Sequence, residues 1–101
     1  MPRDLRQLAA GQHCYGRLHG ICNYDAATVV LAHIRRGNIA GIGEKPCDIA
    51  ALPLCARCHD AVDGRMKVQM SRSEMDSDIL RGLLQWQSYL WRQEYVIAVV
   101  A

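Results

Sequence analysis

Four cysteines occur as two pairs along the chain, Cys14 with Cys22 and Cys55 with Cys58. Tetrahedral zinc sites take four soft ligands, which commonly come as two short-spaced pairs from separate parts of a chain. The C-x2-C spacing of the second pair is typical of one half of such a site. The first pair is spaced more widely, but two glycines between its members allow that loop to fold back. The sequence therefore predicts a structural zinc ion held by these four thiols.

Other uses of cysteine compete with this interpretation. A buried cysteine often acts as a small hydrophobic residue, which suits the unpartnered Cys47, a spare thiol expected to be at least half-buried. Residues 55–59 also match the C-x-x-C-H signature of c-type haem attachment, and their two thiols could form a redox pair. Haem attachment needs export, and residues 1–6 lack the apolar stretch of a secretory signal. It would also leave the first pair of thiols without a role.

Composition narrows the class of protein. The chain has 101 residues and a net charge of +2, which predicts one domain and says little about its partners. A domain of this size buries only about two-thirds of its unfolded surface, so a metal would help to hold it together. No window has the roughly 18 apolar residues of a membrane span. Paired thiols without a signal peptide favour a reducing cytoplasm.

Glycines, prolines and the hydrophobic pattern predict a small α+β fold. The predicted elements are, in chain order, a helix over 5–10 capped by Asp4, a strand over 28–34, a loop over 35–46, a strand over 49–54 and a helix over 55–63 ended by Gly64. His33 would therefore stand at the end of the first strand. Pro53 should restrict the second strand to the edge of a sheet.

The last part of the chain predicts one long helix over about 73–94. Ser73-Glu74-Met75-Asp76 has the form of a capping box that would open it. Five apolar residues recur at steps of three and four and should face the core: Met75, Ile79, Leu83, Trp86 and Leu90. Trp91 is assigned to the same core-covering helix. The apolar tail over 96–101 could add a strand or lie in a subunit interface.

The order strand, His33, loop, strand, Cys-x-x-Cys-His, helix resembles the HNH, or ββα-metal, nucleases over about residues 14–63. Most of the chain is also similar to the YbcO-like group of small phage and prophage nucleases. The stretches that carry this second resemblance are Asp4-Leu5-Arg6, Gly11-x-x-Cys14, Cys22-Asn23, Leu31-Ala32-His33-Ile34-Arg35, Gly41-x-Gly43-x-Lys45-Pro46-x-Asp48 and Leu54-Cys55-x-x-Cys58-His59-Asp60. The resemblance implies one HNH-like zinc-binding domain over 1–101. Its core, over about 13–64, would be a β-hairpin with a long loop plus a short helix.

The resemblance also implies catalytic roles. His33 would be the general base, because a neutral imidazole can take a proton from water at neutral pH. His59 on the short helix would bind one divalent ion, and Asp63, four residues later, would share it from the same helix face. An imidazole and a carboxylate suit Mg²⁺, Mn²⁺ or Zn²⁺. Such an ion would neutralise the scissile phosphate and the leaving 3′ oxygen.

Two positions depart from the HNH pattern. Many members carry an acidic residue before the base, where this chain has Ala32, and an asparagine on the second strand, where it has Ala50. Asp48 is expected either to orient His33 or to reach the metal. These departures favour an alternative function, a catalytically inactive zinc-stabilised module that binds nucleic acid or acts as an adaptor.

The leading prediction is a metal-dependent endonuclease that hydrolyses DNA phosphodiester bonds. The resemblance adds phage recombination or DNA processing in the cytoplasm of a bacterial host, with a recombination protein or a second copy of the chain as partner. Cations near the predicted site would contact phosphates, which adds salt-dependent affinity without sequence readout. These cations are Arg35, Arg36, Lys45 and Arg57, and Arg65 would extend their track.

Overall fold

The computed structural model describes residues 4–35 and 47–95, which form a small α+β fold. The elements in chain order are helix α1 (Leu5–Ala9), a 3-10 turn (Ala26–Thr28), strand β1 (Val30–His33), strand β2 (Ala51–Leu54), helix α2 (Ala56–Val62) and helix α3 (Arg72–Arg92). The predictions for Arg36, Lys45 and the tail over 96–101 lie outside the described residues. No helix in the described ranges combines the length and apolar character needed to cross a membrane.

The two strands form an antiparallel hairpin in which Val30 pairs with Leu54 and His33 pairs with Ala51. Both strands are shorter than predicted. The first begins late because Asp25 caps the 3-10 turn that precedes it. His33 ends β1, as predicted. A two-stranded sheet leaves each strand an open edge, which allows a proline in β2.

Caps define the two short helices. The Asp4 carboxylate accepts a hydrogen bond from the backbone N–H of Arg6 at 2.9 Å, which confirms the predicted cap of α1. The thiol of Cys55 caps α2 in the same way, accepting from the N–H of Cys58. Helix α2 then stops before Gly64, whose φ of 76° lies in the left-handed region that favours glycine.

The predicted capping box of α3 is wrong by two residues. Ser71 is the cap, and its hydroxyl oxygen accepts from the Glu74 N–H while its O–H donates to the Glu74 carboxylate, both at 3.1 Å. The longer glutamate side chain can reach back to the start of the helix, whereas Asp76 lies 3.8 Å from Arg72 instead. The helix consequently begins two residues earlier than a cap at Ser73 would allow.

The core forms where α3 crosses β2. Four residues of the predicted stripe are buried and Leu83 is partly buried at its edge. Gly82 is buried on the same face, where a Cβ atom would collide with the carbonyl oxygen of Tyr15. Trp91 lies on this helix, as predicted, but it is outside the apolar stripe and is 56% exposed.

Candidate metal centre and active site

The four paired cysteines converge in space. Their sulfur atoms all lie within 4.8 Å of one another, and no other group of three or more His, Cys, Asp or Glu side chains in residues 4–35 and 47–95 comes as close. The sulfurs of Cys22 and Cys55 are 3.8 Å apart. Zn–S bonds of about 2.3 Å in a tetrahedron separate two sulfurs by roughly this distance. The cluster could therefore hold a metal ion such as zinc.

Backbone N–H groups surround the sulfurs. The hydrogen bonds run from Cys58 N to Cys55 Sγ (3.4 Å), from Arg17 N to Cys14 Sγ (3.5 Å) and from Tyr24 N to Cys22 Sγ (3.4 Å). Arg17 and Tyr24 have φ values of 44° and 53°. Left-handed backbone is uncommon outside glycine, and here it occurs at two of the three residues whose N–H groups point at sulfur. These donors would stabilise thiolate charge on the ligands.

The pKa values within the cluster diverge. A hydrogen bond from the Cys58 thiol lowers the pKa of Cys14 to about 4, and the same bond raises the pKa of Cys58 above its usual range. Burial raises the pKa of Cys22 to about 11. Cys14 is thus a thiolate at neutral pH while Cys22 and Cys58 keep their protons until a cation displaces them.

Cys47 stands apart from this cluster. It is exposed, so the prediction of a half-buried or buried thiol is wrong. The residue lies in the turn before β2, where its carbonyl oxygen accepts from the Ala50 N–H at 3.0 Å. The chain has not yet entered the sheet at this point, so the hydrophobic core does not cover the side chain.

His33 and Asp48 form the first contact of the candidate active site. His33 Nε2 lies 2.7 Å from Asp48 Oδ1. The hairpin brings them together because His33 ends β1 and Asp48 precedes β2, with Ile34 N–H donating to the Ala50 carbonyl between them. Arg6 of α1 lies 3.7 Å from the same carboxylate oxygen. Of the two predicted options for Asp48, this geometry matches the one in which it orients the imidazole.

His59 and Asp63 form the second contact. They lie one turn apart on α2, as predicted, with His59 Nε2 3.2 Å from Asp63 Oδ2. Arg65 Nη1 lies 3.2 Å from the same carboxylate oxygen, and Arg65 Nε lies 3.0 Å from Asp60. The two side chains are only 26% and 23% exposed, so Asp63 does not simply project into solvent at the helix end.

Both histidines line one cavity of about 390 Å³, here called the histidine cavity. Its lining residues are Arg6, Leu31, His33, Arg35, His59, Asp63 and Arg65. The structure thus brings together five residues that the sequence proposed for catalysis, metal binding or phosphate contact. It does not bring in Arg57, whose Nε donates to the Ile21 carbonyl at 2.8 Å.

Arg6 is a lining residue that the sequence reasoning missed. It belongs to the Asp4-Leu5-Arg6 stretch that resembles the phage group, which was the available signal. No local sequence pattern predicts that α1 packs beside β1. This packing places the Arg6 guanidinium next to Asp48.

Comparison with known proteins defines the family. The family described as "Putative nuclease YbcO" matches residues 3–94, and the chain belongs to this family, as the resemblance predicted. It is 47% identical over 62 residues to "Putative nuclease YbcO" of Escherichia coli (strain K12) and to "Putative nuclease ybcO" of Enterobacteria phage 82. Each alignment covers 61% of this chain and 65% of the relative, slightly less than two thirds of its length.

A solved structure has a similar fold. It is described as "Structure of a putative bacteriophage protein from Escherichia coli str. K-12 substr. MG1655" and matches with a TM-score of 0.74 at 30% sequence identity. The match covers 90% of this chain and 100% of that chain. The similarity therefore extends beyond the aligned segments of the two relatives.

Proposed function

We propose that the chain is an HNH-type, metal-dependent endonuclease that hydrolyses DNA phosphodiester bonds. The observation that carries the proposal is that His33, from the end of β1, and His59, from α2, line the same cavity. The hairpin, the short helix and the four-cysteine cluster at its N-terminus follow the order of an HNH-like core. The names of the relatives support a nuclease.

His33 would act as the general base. When Asp48 accepts a hydrogen bond from Nε2–H, the neutral imidazole carries its lone pair on Nδ1. Nδ1 would then take the proton from the water that attacks the phosphate. Asp48 provides from the turn an orienting contact that Ala50 cannot make, so the departure at that position need not abolish catalysis.

His59 and Asp63 would hold the catalytic ion. Their donor atoms are 3.2 Å apart and both side chains line the histidine cavity, a donor pair suited to Mg²⁺, Mn²⁺ or Zn²⁺. Bound there, the ion would neutralise charge on the scissile phosphate and the leaving 3′ oxygen. Arg65 Nη1 now pairs with Asp63 and would donate to a phosphate oxygen instead once that carboxylate binds metal, while Arg65 Nε stays on Asp60.

The surrounding cations would position the DNA. Arg6 and Arg35 line the cavity beside the two histidines, where guanidinium groups can make paired hydrogen bonds to phosphate. The phage relative supports a phage context, within which we propose a role in recombination or DNA processing. We include in this proposal a bacterial cytoplasmic location and a recombination protein or second copy as partner.

A second candidate function is a zinc-stabilised module that binds nucleic acid or acts as an adaptor without cleaving. One observation favours it. Ala32, at the position of an acidic ligand in many HNH enzymes, is 1% exposed and offers no ligand atom. His33 is taken as the general base. Among the described residues that line the histidine cavity, this leaves only His59 and Asp63 as candidate ligands of the ion.

Cleavage of supercoiled and single-stranded DNA with Mg²⁺, Mn²⁺ or Zn²⁺ tests these functions. His33→Ala should fold, keep its zinc and lose cleavage by about 100-fold or more, the usual contribution of a general base. His13→Ala is the matched control, because His13 is exposed and does not line the cavity. Unchanged cleavage by His33→Ala would overturn the assignment. A folded, zinc-loaded wild type that binds DNA without cleaving it would establish the second candidate.

A further inference from the structure

Two further cavities lie beside the loop over 64–71 that joins α2 to α3. The first, of about 620 Å³, shares Arg35, Asp63 and Arg65 with the histidine cavity. The second, of about 530 Å³, shares Val68 and Met70 with the first. Neighbouring cavities thus share lining residues, and the three together are here called the loop groove.

Positive charge is concentrated in the loop groove. Its basic lining residues are Arg6, Arg35, Arg57, Arg65, Lys67 and Arg72, whereas Asp63 and Glu74 are its acidic ones. This excess of four among the lining residues is offset in part by Asp48, Asp60 and Asp76, which pair with Arg6, Arg65 and Arg72. A groove of this kind attracts a polyanion and orients it along its length.

The basic residues differ in how firmly the fold holds them. Arg57 donates to the Ile21 carbonyl, and Arg65 pairs with two carboxylates. Arg72 is exposed and lies 3.8 Å from Asp76, a weak surface ion pair. Lys67 is exposed on the loop itself. Lys67 and Arg72 can therefore turn towards a ligand at little cost to the fold.

Apolar side chains accompany these cations along the loop groove. Met66, Val68 and Met70 of the loop line it and are partly buried against the core. A duplex keeps its bases stacked inside and presents mainly phosphates and sugars to such a wall. A single strand presents its bases as well, and the aliphatic side chains beside the cations offer those bases an apolar surface to pack against.

We infer that the loop groove binds a single DNA strand that continues from the scissile phosphate, with Lys67 and Arg72 contacting its backbone. The inference rests on the proposed nuclease function, because it takes the histidine cavity as the cleavage site. It assigns substrate binding to the connection between α2 and α3, outside the hairpin and helix that carry the catalytic candidates.

Fluorescence anisotropy of labelled oligothymidine tests this inference, with strands of about 4 and about 16 nucleotides to bracket known site sizes. Lys67→Gln and Arg72→Gln should each weaken binding of the longer strand about fivefold at ~0.1 M salt and reduce the salt slope by about 0.7. The shorter strand should be affected less. Arg92→Gln removes the same charge from an exposed site outside the groove and should leave binding unchanged.

Each outcome separates the groove from the catalytic proposal. If the two groove variants lose binding and the wild type does not cleave DNA, the result supports strand binding in the loop groove and contradicts the proposed nuclease function. If cleavage depends on His33 and the groove variants bind as wild type does, the result supports the nuclease function and contradicts strand binding in the loop groove. Equal losses in Arg92→Gln, or losses as large on a duplex as on the single strand, would also overturn the inference. So would a wild type that binds no single strand.

Discussion

His33 Nε2 lies 2.7 Å from Asp48 Oδ1, and this contact ties the end of β1 to the turn before β2. The imidazole is 10% exposed and the carboxylate 39%, so packing and the hydrogen bond both restrict the histidine while the carboxylate stays partly hydrated. A carboxylate holds one tautomer of the ring and also stabilises the imidazolium formed when the ring takes a proton. An asparagine at position 48 could hold the tautomer but could not stabilise the charge of the imidazolium.

Asp48→Asn should therefore lower kcat for DNA cleavage by about 10- to 100-fold, the usual range for a residue that orients a catalytic group. KM should change little, because the amide keeps the shape of the side chain. Steady-state cleavage of a defined oligonucleotide measures both constants. Asp78→Asn, the same chemical change on α3, is the control. Equal kcat values for wild type and Asp48→Asn would mean that Asp48 does not act through His33.

Cys58→Ser should remove the metal and unfold the domain. Cys58 is fully buried within the thiol cluster, and structural zinc contributes about 10–16 kcal/mol of apparent binding free energy to small domains. That amount equals or exceeds the whole stability of a typical domain, about 5–15 kcal/mol. Metal content and thermal unfolding are the measurements.

Cys47→Ser is the matched control, since Cys47 is exposed and outside the cluster. It should retain wild-type zinc and Tm. A Cys58→Ser protein that also kept both would show that the cluster holds no structural ion.

Zinc binding should release at least two protons per ion near pH 7. The pKa values of Cys22 and Cys58 are raised, by burial and by the hydrogen bond to Cys14 respectively, so both thiols are protonated before the ion binds. Cys14, with its pKa lowered to about 4, is already ionised and contributes none. Zinc affinity must then rise with pH between about 4 and the raised pKa values. Calorimetric titration in buffers of different ionisation enthalpy counts the protons, and release of fewer than two would contradict the prediction.

Gly82→Ala should destabilise the protein, although replacing a helical glycine by alanine normally stabilises by roughly 0.5–1 kcal/mol. The new methyl group would collide with the Tyr15 carbonyl and press on Leu52 at 3.0 Å. Overpacking of this kind costs about 1–3 kcal/mol. Urea unfolding measures the change, with the exposed Ser88→Ala on the same helix as a control expected within about 0.5 kcal/mol of wild type. A more stable Gly82→Ala would show that α3 can move away from Tyr15.

Features that depend on near neighbours could be predicted from the sequence. The stripe on α3, the cap at Asp4, the stop at Gly64 and the place of His33 at the end of β1 all depend on residues within a few positions of one another. Helical periodicity, capping hydrogen bonds and the φ preference of glycine act over that range. The two cysteine pairs also belong here, because zinc restricts which spacings can share an ion.

Features that depend on packing between distant segments required the tertiary structure. The sequence allowed Asp48 either to orient His33 or to reach the metal. The register of the hairpin brings its carboxylate into contact with His33. The docking of α1 on β1 added Arg6 to the histidine cavity.

The loop groove also depends on packing between segments that are distant in the sequence. The residues that line it lie between positions 6 and 75 of the chain. Composition states only that the chain has two more basic than acidic residues. The sequence by itself determined which side chains could bind metal, take a proton or contact phosphate, because those are properties of residue types and short spacings. The tertiary structure decided which of them meet, because long-range packing sets the distances between them.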